Sequence, residues 1–285
     1  MPLPTSPVIR RARLGAELRQ LRRREGLTLE QVCDRLGWAS TSKLSRIELG
    51  QSRPDLADVL DLLDVYQVPV PVRDTLIVIA RDAATSRGWW KTLGEMSERQ
   101  RVYAELEAGA AHIVEYQPVI VPGLLQTPAY ARARVAAGAV LTPKVDIEAE
   151  VRARALRQEV LHRADPPEYT AVLTEAVCEP GDLPVDVWRE QLRHLVAVTG
   201  LEHVTVRLLP RGASGDGLHP LTPYSWYSFP DPADPRTVML EALTTDVRLA
   251  TVLDVDRYEL MTEALLAAAL SPEETVTALA RRVGQ

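Results

Sequence analysis

The side chains able to do acid–base, nucleophilic or metal chemistry are few in this chain, and their spacing gathers none of the usual sets. The five histidines, His112, His162, His194, His203 and His219, show neither H-x-x-x-H nor H-E-x-x-H spacing, and Cys33 and Cys178 stand alone, so no zinc site is written locally. Glu175, Glu179 and Asp182 surround Cys178, but unpaired carboxylates at a strand end are ordinarily a solvated edge. The run Arg211-Gly212-Ala213-Ser214-Gly215-Asp216-Gly217 is glycine-rich and follows a strand pattern. It leads into Leu218-His219-Pro220 rather than a helix and has no P-loop lysine, so a loop at a sheet edge is expected in place of a phosphate cradle. No G-x-S-x-G elbow occurs. The reading is a protein that is not an enzyme, with no catalytic residues, metal or cofactor.

Recognition chemistry is better represented. Thr41, Ser42, Lys43, Ser45 and Arg46 put small hydroxyls and two cations within six residues, while Leu44 and Ile47 fall between them at core spacing. A helix made only for packing needs no such exposed set. Hydroxyls and a guanidinium at a helix start are the groups that reach polar base edges, and an arginine can bond guanine O6 and N7 in bidentate fashion.

The neighbouring residues are those that would position such a helix. Leu14, Leu18 and Leu21 make one apolar stripe, and Gly26 stops that helix. Thr28 caps the next, with Gln31 in capping-box spacing, then Leu29, Val32 and Leu36 as its stripe and Gly37 as its stop. Ser40-Thr41-Ser42 offers N-caps for the third helix, which Gly50 ends. Arg53-Pro54-Asp55 starts a fourth, with Leu56, Val59, Leu60 and Leu63 inward and Pro69 and Pro71 closing it. Helices two and three, joined by a short glycine turn, read as a helix-turn-helix.

The stretch Leu44-Ser45-Arg46-Ile47-Glu48, followed by Gly50 and Arg53-Pro54, resembles the Xre family of lambda-repressor and Cro-like helix-turn-helix transcriptional regulators over about residues 10–68. The resemblance implies that Thr41, Ser42, Ser45 and Arg46 face base edges, that Lys43 and Arg53 contact phosphates, and that Thr28 presents the N-terminus of helix two to a phosphate. It also implies a structural ion pair between Arg22 and Glu48. Two features depart from the family pattern: Leu29 stands where a phosphate-binding Gln is frequent, and the turn Gly37-Trp38-Ala39-Ser40 is one residue longer than the common form. Arg10, Arg11 and Arg13, beyond the bundle edge, are candidates for a flanking phosphate or the minor groove.

Texture changes at Arg87-Gly88-Trp89-Trp90-Lys91, after an amphipathic segment 76–84; the two tryptophans are expected to pack in a core or between domains. Strand patterns follow at 111–116, 170–177, 204–209, 224–229 and 238–243, and helical patterns at 98–107, 124–135, 147–162, 185–198, 255–269 and 272–283. Strands bunch late in the chain, which favours an α+β domain with a mixed or antiparallel sheet over a doubly wound one. The expected organisation is an all-α helix-turn-helix domain at 1–72, a connecting helix and linker at 73–95, and an α+β regulatory or interaction domain at 96–285. Gly88-Trp89-Trp90, Val121-Pro122-Gly123-Leu124-Leu125-Gln126-Thr127 with Tyr130-Ala131-Arg132, Arg157-Gln158-Glu159-Val160-Leu161 and Gln191-Leu192-Arg193-His194-Leu195 resemble the large C-terminal domain of the WhiJ-like group of actinomycete Xre regulators. That resemblance implies no established chemistry; such regulators often have a very small partner protein encoded beside them, and an antitoxin-like module that autoregulates its own operon is the alternative it carries.

Charge supports the same division. The net charge is −6. Residues 1–53 hold eleven basic side chains (Arg10, Arg11, Arg13, Arg19, Arg22, Arg23, Arg24, Arg35, Lys43, Arg46, Arg53) against Glu17, Glu25, Glu30, Asp34 and Glu48, a local +6 that leaves −12 for the remainder. DNA feels the local field within about 8–10 Å, so a basic head on an acidic body can bind phosphate. No apolar run is long enough for a membrane span, and no secretory signal is evident, which together with two isolated cysteines leads to an expected cytoplasmic location. The expected partners are double-stranded DNA, a second copy in a homodimer matched to half-sites one helical turn apart, and a small protein encoded nearby; no membrane is expected.

Overall fold

The computed structural model describes residues 5–85, 96–141, 144–213, 222–242 and 244–284. The expectations attached to Gly88-Trp89-Trp90, to the glycine-rich run from Ser214 onward and to His219 lie outside these residues. The chain divides into two compact units: residues 1–91 with 229–235, and residues 92–228 with 236–285.

The first unit holds five helices: α1 (Pro7–Arg24), α2 (Leu29–Leu36), α3 (Thr41–Glu48), α4 (Leu56–Val65) and α5 (Val70–Ala84). Their ends follow local chemistry. The Ser6 hydroxyl accepts from the Ile9 amide with Pro7 in the first turn, and Thr28 and Gln31 form a reciprocal capping box. Gly37 closes α2 at φ 67°, in the left-handed region where a side chain is strained. Leu14, Leu18, Leu44, Leu62 and Leu63 are all buried in one core, which α5 completes with Leu76, Ile79, Ala80 and Ala83. That fifth helix packs on α1 and belongs to this bundle, where the sequence leaves the segment 76–84 either to finish the bundle or to connect it onward. The tightest approach is between α1 and α3. A Cβ on Gly15 would stand 2.5 Å from the Ile47 carbonyl oxygen and 2.6 Å from that of Glu48, so these helices meet backbone to backbone.

The second unit is built on a six-stranded mixed sheet in the order β3-β2-β1-β4-β5-β6. The strands are β1 (His112–Gln117), β2 (Glu168–Thr174), β3 (Val204–Leu209), β4 (Tyr224–Ser228), β5 (Thr237–Leu240) and β6 (Val247–Leu249). The helices are α6 (Glu98–Gly109), α7 (Pro128–Gly138), α8 (Ile147–Gln158), α9 (Val185–Val198), α10 (Val252–Ala268) and α11 (Pro272–Val283). β1, β2 and β3 run parallel, and the chain supplies the crossovers that parallel pairs need, α7 and α8 before β2 and α9 before β3. β4, β5 and β6 are antiparallel, which is why strands bunch late in the sequence. On one face, Tyr116, Val172, Tyr224 and Val238 pack with Val255 and Leu265 of α10.

Several boundaries differ from the sequence reading, three of them for plain local reasons. The helix expected at 124–135 is a short 3-10 turn, Gly123–Leu125, followed by α7, because Thr127 caps and Pro128 starts a new helix. The strand expected to reach 177 ends at Thr174, where a 3-10 turn, Glu175–Cys178, takes over. The helix expected to reach 162 ends at Gln158 in a further 3-10 turn. The loop before α7 is stitched by glutamines. Gln126 Nε2 donates to Val121 O (2.8 Å), Gln158 Nε2 to Gly123 O (3.0 Å) and Gln126 O (2.8 Å), and Gln191 Nε2 to Leu125 O (2.7 Å).

The other sheet face carries charge. Glu115 on β1 is buried, accepting from Tyr169 Oη and from Ser225 Oγ (3.0 Å), the residue opposite it on β4. Arg157 of α8 bonds Glu107 of α6 through Nε (2.9 Å) and a terminal nitrogen (2.5 Å), with both side chains buried. Burial pushes the Glu115 carboxyl up to about 7, Glu107 and Glu241 adding to the rise while the Tyr169 hydrogen bond and Arg157 oppose it.

Two outcomes follow from this packing. Gly15→Ala should cost about 1–3 kcal/mol in urea unfolding, because overpacking a backbone contact outweighs the gain of about 1 kcal/mol in helix propensity. For Glu115, the folded carboxyl holds its proton above the ordinary 4.5, so stability falls as pH rises from there to about 7. Glu115→Gln should remove that slope and, near pH 8, raise stability by about 3 kcal/mol, read from unfolding midpoints at about pH 5 and about pH 8.

Candidate nucleic-acid interface

The orientation of α3 is fixed by one ion pair as well as by its apolar side. Arg22 Nε lies 2.6 Å from Glu48 Oε1, and a terminal nitrogen lies 2.9 Å from Oε2. The remaining terminal nitrogen donates to Leu27 O at 2.8 Å. One guanidinium thus joins α1, the turn into α2 and the end of α3. Both side chains are largely shielded from solvent, and the Glu48 hydrogen bond holds the Arg22 guanidinium above its ordinary range against the opposing effect of burial. With Leu44 and Ile47 turned into the core, the opposite side of the eight-residue helix is left outward.

On that side Ser42 and Arg46 are exposed, and Thr41 and Ser45 are half-buried. Arg46 has no side-chain hydrogen bond or ion pair among the described residues, so its five donors are uncommitted. Arg53 is exposed on the same terms. Lys43 differs. Its ammonium lies 2.5 Å from Asp58 Oδ1 of α4 and 4.3 Å from the centre of the Trp38 ring, so a phosphate must compete with a carboxylate and a π-face. Thr28 is exposed at the start of α2, where Glu30 also sits. The Glu30 carboxyl is held below its usual range by its own amide and by Thr28, so a phosphate arriving at this helix end meets an anion already there.

The flanking arginines are placed otherwise than expected. A terminal nitrogen of Arg13 lies 2.6 Å from Asp231 and 3.1 Å from Asp234. Arg10 lies 3.1 Å from Asp231, 3.3 Å from Asp234 and 3.6 Å from Asp82. Arg11 donates to Ala83 O at 3.4 Å. Arg13 holds the Asp231 carboxyl below its usual range, whereas burial raises that of Asp234. Arg10 and Arg13 are therefore consumed inside the first unit by carboxylates that sequence spacing did not connect to them. Asp58 was missed in the same way: fifteen residues separate it from Lys43, and no local pattern links the two.

With this geometry the first unit is a helix-turn-helix DNA-binding domain, and residues 13–76 match the family described as a helix-turn-helix domain. Residues 100–281 match the family described as a domain of unknown function, DUF5753; that match spans more than half of the chain, and the chain belongs to this family. No curated protein and no solved structure matches the chain. Among the described residues no helix is long and apolar enough to cross a membrane.

The Arg22–Glu48 pair makes a clear expectation. Arg22→Met or Glu48→Met alone strands a shielded charge and should cost about 3–5 kcal/mol, while the double substitution should recover most of that loss. A double-mutant cycle in urea measures it.

Proposed function

We propose that the protein is a sequence-specific transcriptional regulator of the Xre type, acting as a dimer on double-stranded DNA, with residues 100–281 serving as its non-catalytic partner- or effector-binding domain. The observation that carries this reading is the outward face of α3. Its two exposed polar side chains, Ser42 and Arg46, are uncommitted, while the rest of the helix is anchored by Leu44, Ile47 and Glu48. A helix-turn-helix uses that element in the major groove, with its first residues at base edges. Arg46 is then the base reader, Arg53 a phosphate contact, and Thr41, Ser42 and Ser45 supply shorter contacts. Pairing of two copies is supported by the small area one such unit buries on DNA, and by Leu253 and Leu260, two exposed leucines one heptad apart on α10.

Selection from a pool of random duplexes tests it. Arg46→Ala should flatten the base preference at one position of each half-site and cost about 1–3 kcal/mol on the preferred duplex. An equal loss on every duplex would remove Arg46 from the base readers. Lys43 gives a second expectation. Asp58→Asn frees the ammonium, so affinity should rise and the slope of log affinity against log salt should steepen by about one. An unchanged slope would take Lys43 off the phosphate contacts.

A further inference from the structure

The second unit contains a cavity of about 520 Å³ beneath the loop that the glutamines stitch, a size ordinary for small-molecule sites. Part of its wall is aliphatic, from Ile120, Val135 and Val145. Its polar part is unusual, because two buried groups there lack the partners that buried polar groups normally have, and a half-buried carboxylate stands beside them without one.

Gln126 is nearly fully buried, and its side-chain oxygen has no hydrogen-bond partner. Its nitrogen is committed to Val121 O, and only a nitrogen can donate there, so the atom left over is an acceptor. Tyr103 is equally buried, and its hydroxyl is also unpartnered. Glu241, on the same wall, makes no hydrogen bond or ion pair among the described residues.

The charges around it do not cancel this carboxylate. Arg99 is paired with Asp246 (2.6 Å), Arg154 with Glu150 (3.0 Å) and Arg157 with Glu107, while Glu115 takes its two hydroxyl bonds from Tyr169 and Ser225. Each arginine at the cavity thus has its own acid; of the two carboxyls there without a cation, Glu115 is held by hydroxyls and Glu241 by nothing among the described residues. Burial raises its carboxyl above the usual range, with Arg99 and Arg157 opposing from a distance.

We propose that this cavity is a binding site for a small amphipathic amine, whose ammonium pairs with Glu241, whose other hydrogen-bond donors reach Gln126 Oε1 and Tyr103 Oη, and whose apolar part lies against Ile120, Val135 and Val145. Unsatisfied acceptors beside an uncompensated carboxylate call for donors and positive charge, and the aliphatic wall calls for carbon. The inference rests on the reading of residues 100–281 as the effector-binding part of the protein, to which it gives a location and a ligand class.

The test uses the full chain without DNA, with benzylamine and cyclohexylmethylamine as probes and benzyl alcohol and cyclohexylmethanol as their neutral counterparts, followed by ligand-observed NMR. The amines should bind at least about tenfold more tightly than the alcohols, and Glu241→Gln should weaken them about ten- to a hundredfold, the range of one charge-assisted hydrogen bond. Tyr103→Phe should weaken them by less. Both variants should melt no lower than the parent without ligand, since each removes a group that has no partner in the protein. Equal binding of amine and alcohol, no binding of either amine, amine binding untouched by Glu241→Gln, or a Glu241→Gln protein that melts well below the parent would each overturn the site. DNA binding is read separately on the same preparations: its absence alongside amine-selective binding would strike the regulator and leave the cavity's role standing.

Discussion

The first unit depends on keeping one short helix in a fixed pose while leaving half of it unused by the fold. An eight-residue helix has little stability of its own, so its position must come from tertiary contacts. Two contacts do this from one side. Gly15 lets the α1 backbone touch the end of α3, and Arg22 grips Glu48 through Nε and one terminal nitrogen while its other terminal nitrogen holds Leu27 O. The first is steric, the second electrostatic, and they meet within one turn of α3. A shielded ion pair adds little net stability compared with an apolar replacement, but it penalises any other register strongly. Orientation is what a helix that reads base edges requires.

Electrostatics also decides which of the many N-terminal arginines remain available. A count of charges along the sequence makes residues 1–53 basic on balance. The folded chain is selective: Arg10 and Arg13 are neutralised by Asp82, Asp231 and Asp234, Lys43 is held by Asp58, and Glu30 sits at the start of α2. Arg46 and Arg53 keep their charge unengaged. Arg19, Arg23 and Arg35 are exposed without a side-chain partner among the described residues as well, so the free positive charge is smaller than the sum suggests but is not confined to α3.

Much of the first unit was legible in sequence because its signals are local. Thr28 with Gln31, Gly37 in the left-handed conformation and the leucine stripes all act within a few residues, and the Arg22–Glu48 pair came with the family resemblance. What escaped was non-local: Asp58 against Lys43, and Asp231 and Asp234 against Arg10 and Arg13, where no periodicity connects the partners. In the second unit the long elements were visible, α9, α11 and β3 to the residue, but β6 is only three residues long and carries no pattern. The sheet is mixed, one of the two forms the strand order led us to expect, with β1, β2 and β3 as its parallel part. The Glu115 and Arg157 clusters could not be read, since a buried acid looks like a surface acid until a sheet face is assembled around it.

The most direct measurement places a photoreactive amino acid at Ser42 of the full-length chain and, in a second protein, at the exposed Val185 on α9, then irradiates each with a pool of random-sequence duplexes. If α3 lies in the major groove, the label at 42 should attach to bases, competed away by salt, and the label at 185 should attach to little or nothing. Strong attachment from 185 with none from 42 would mean that the duplex is held by another surface.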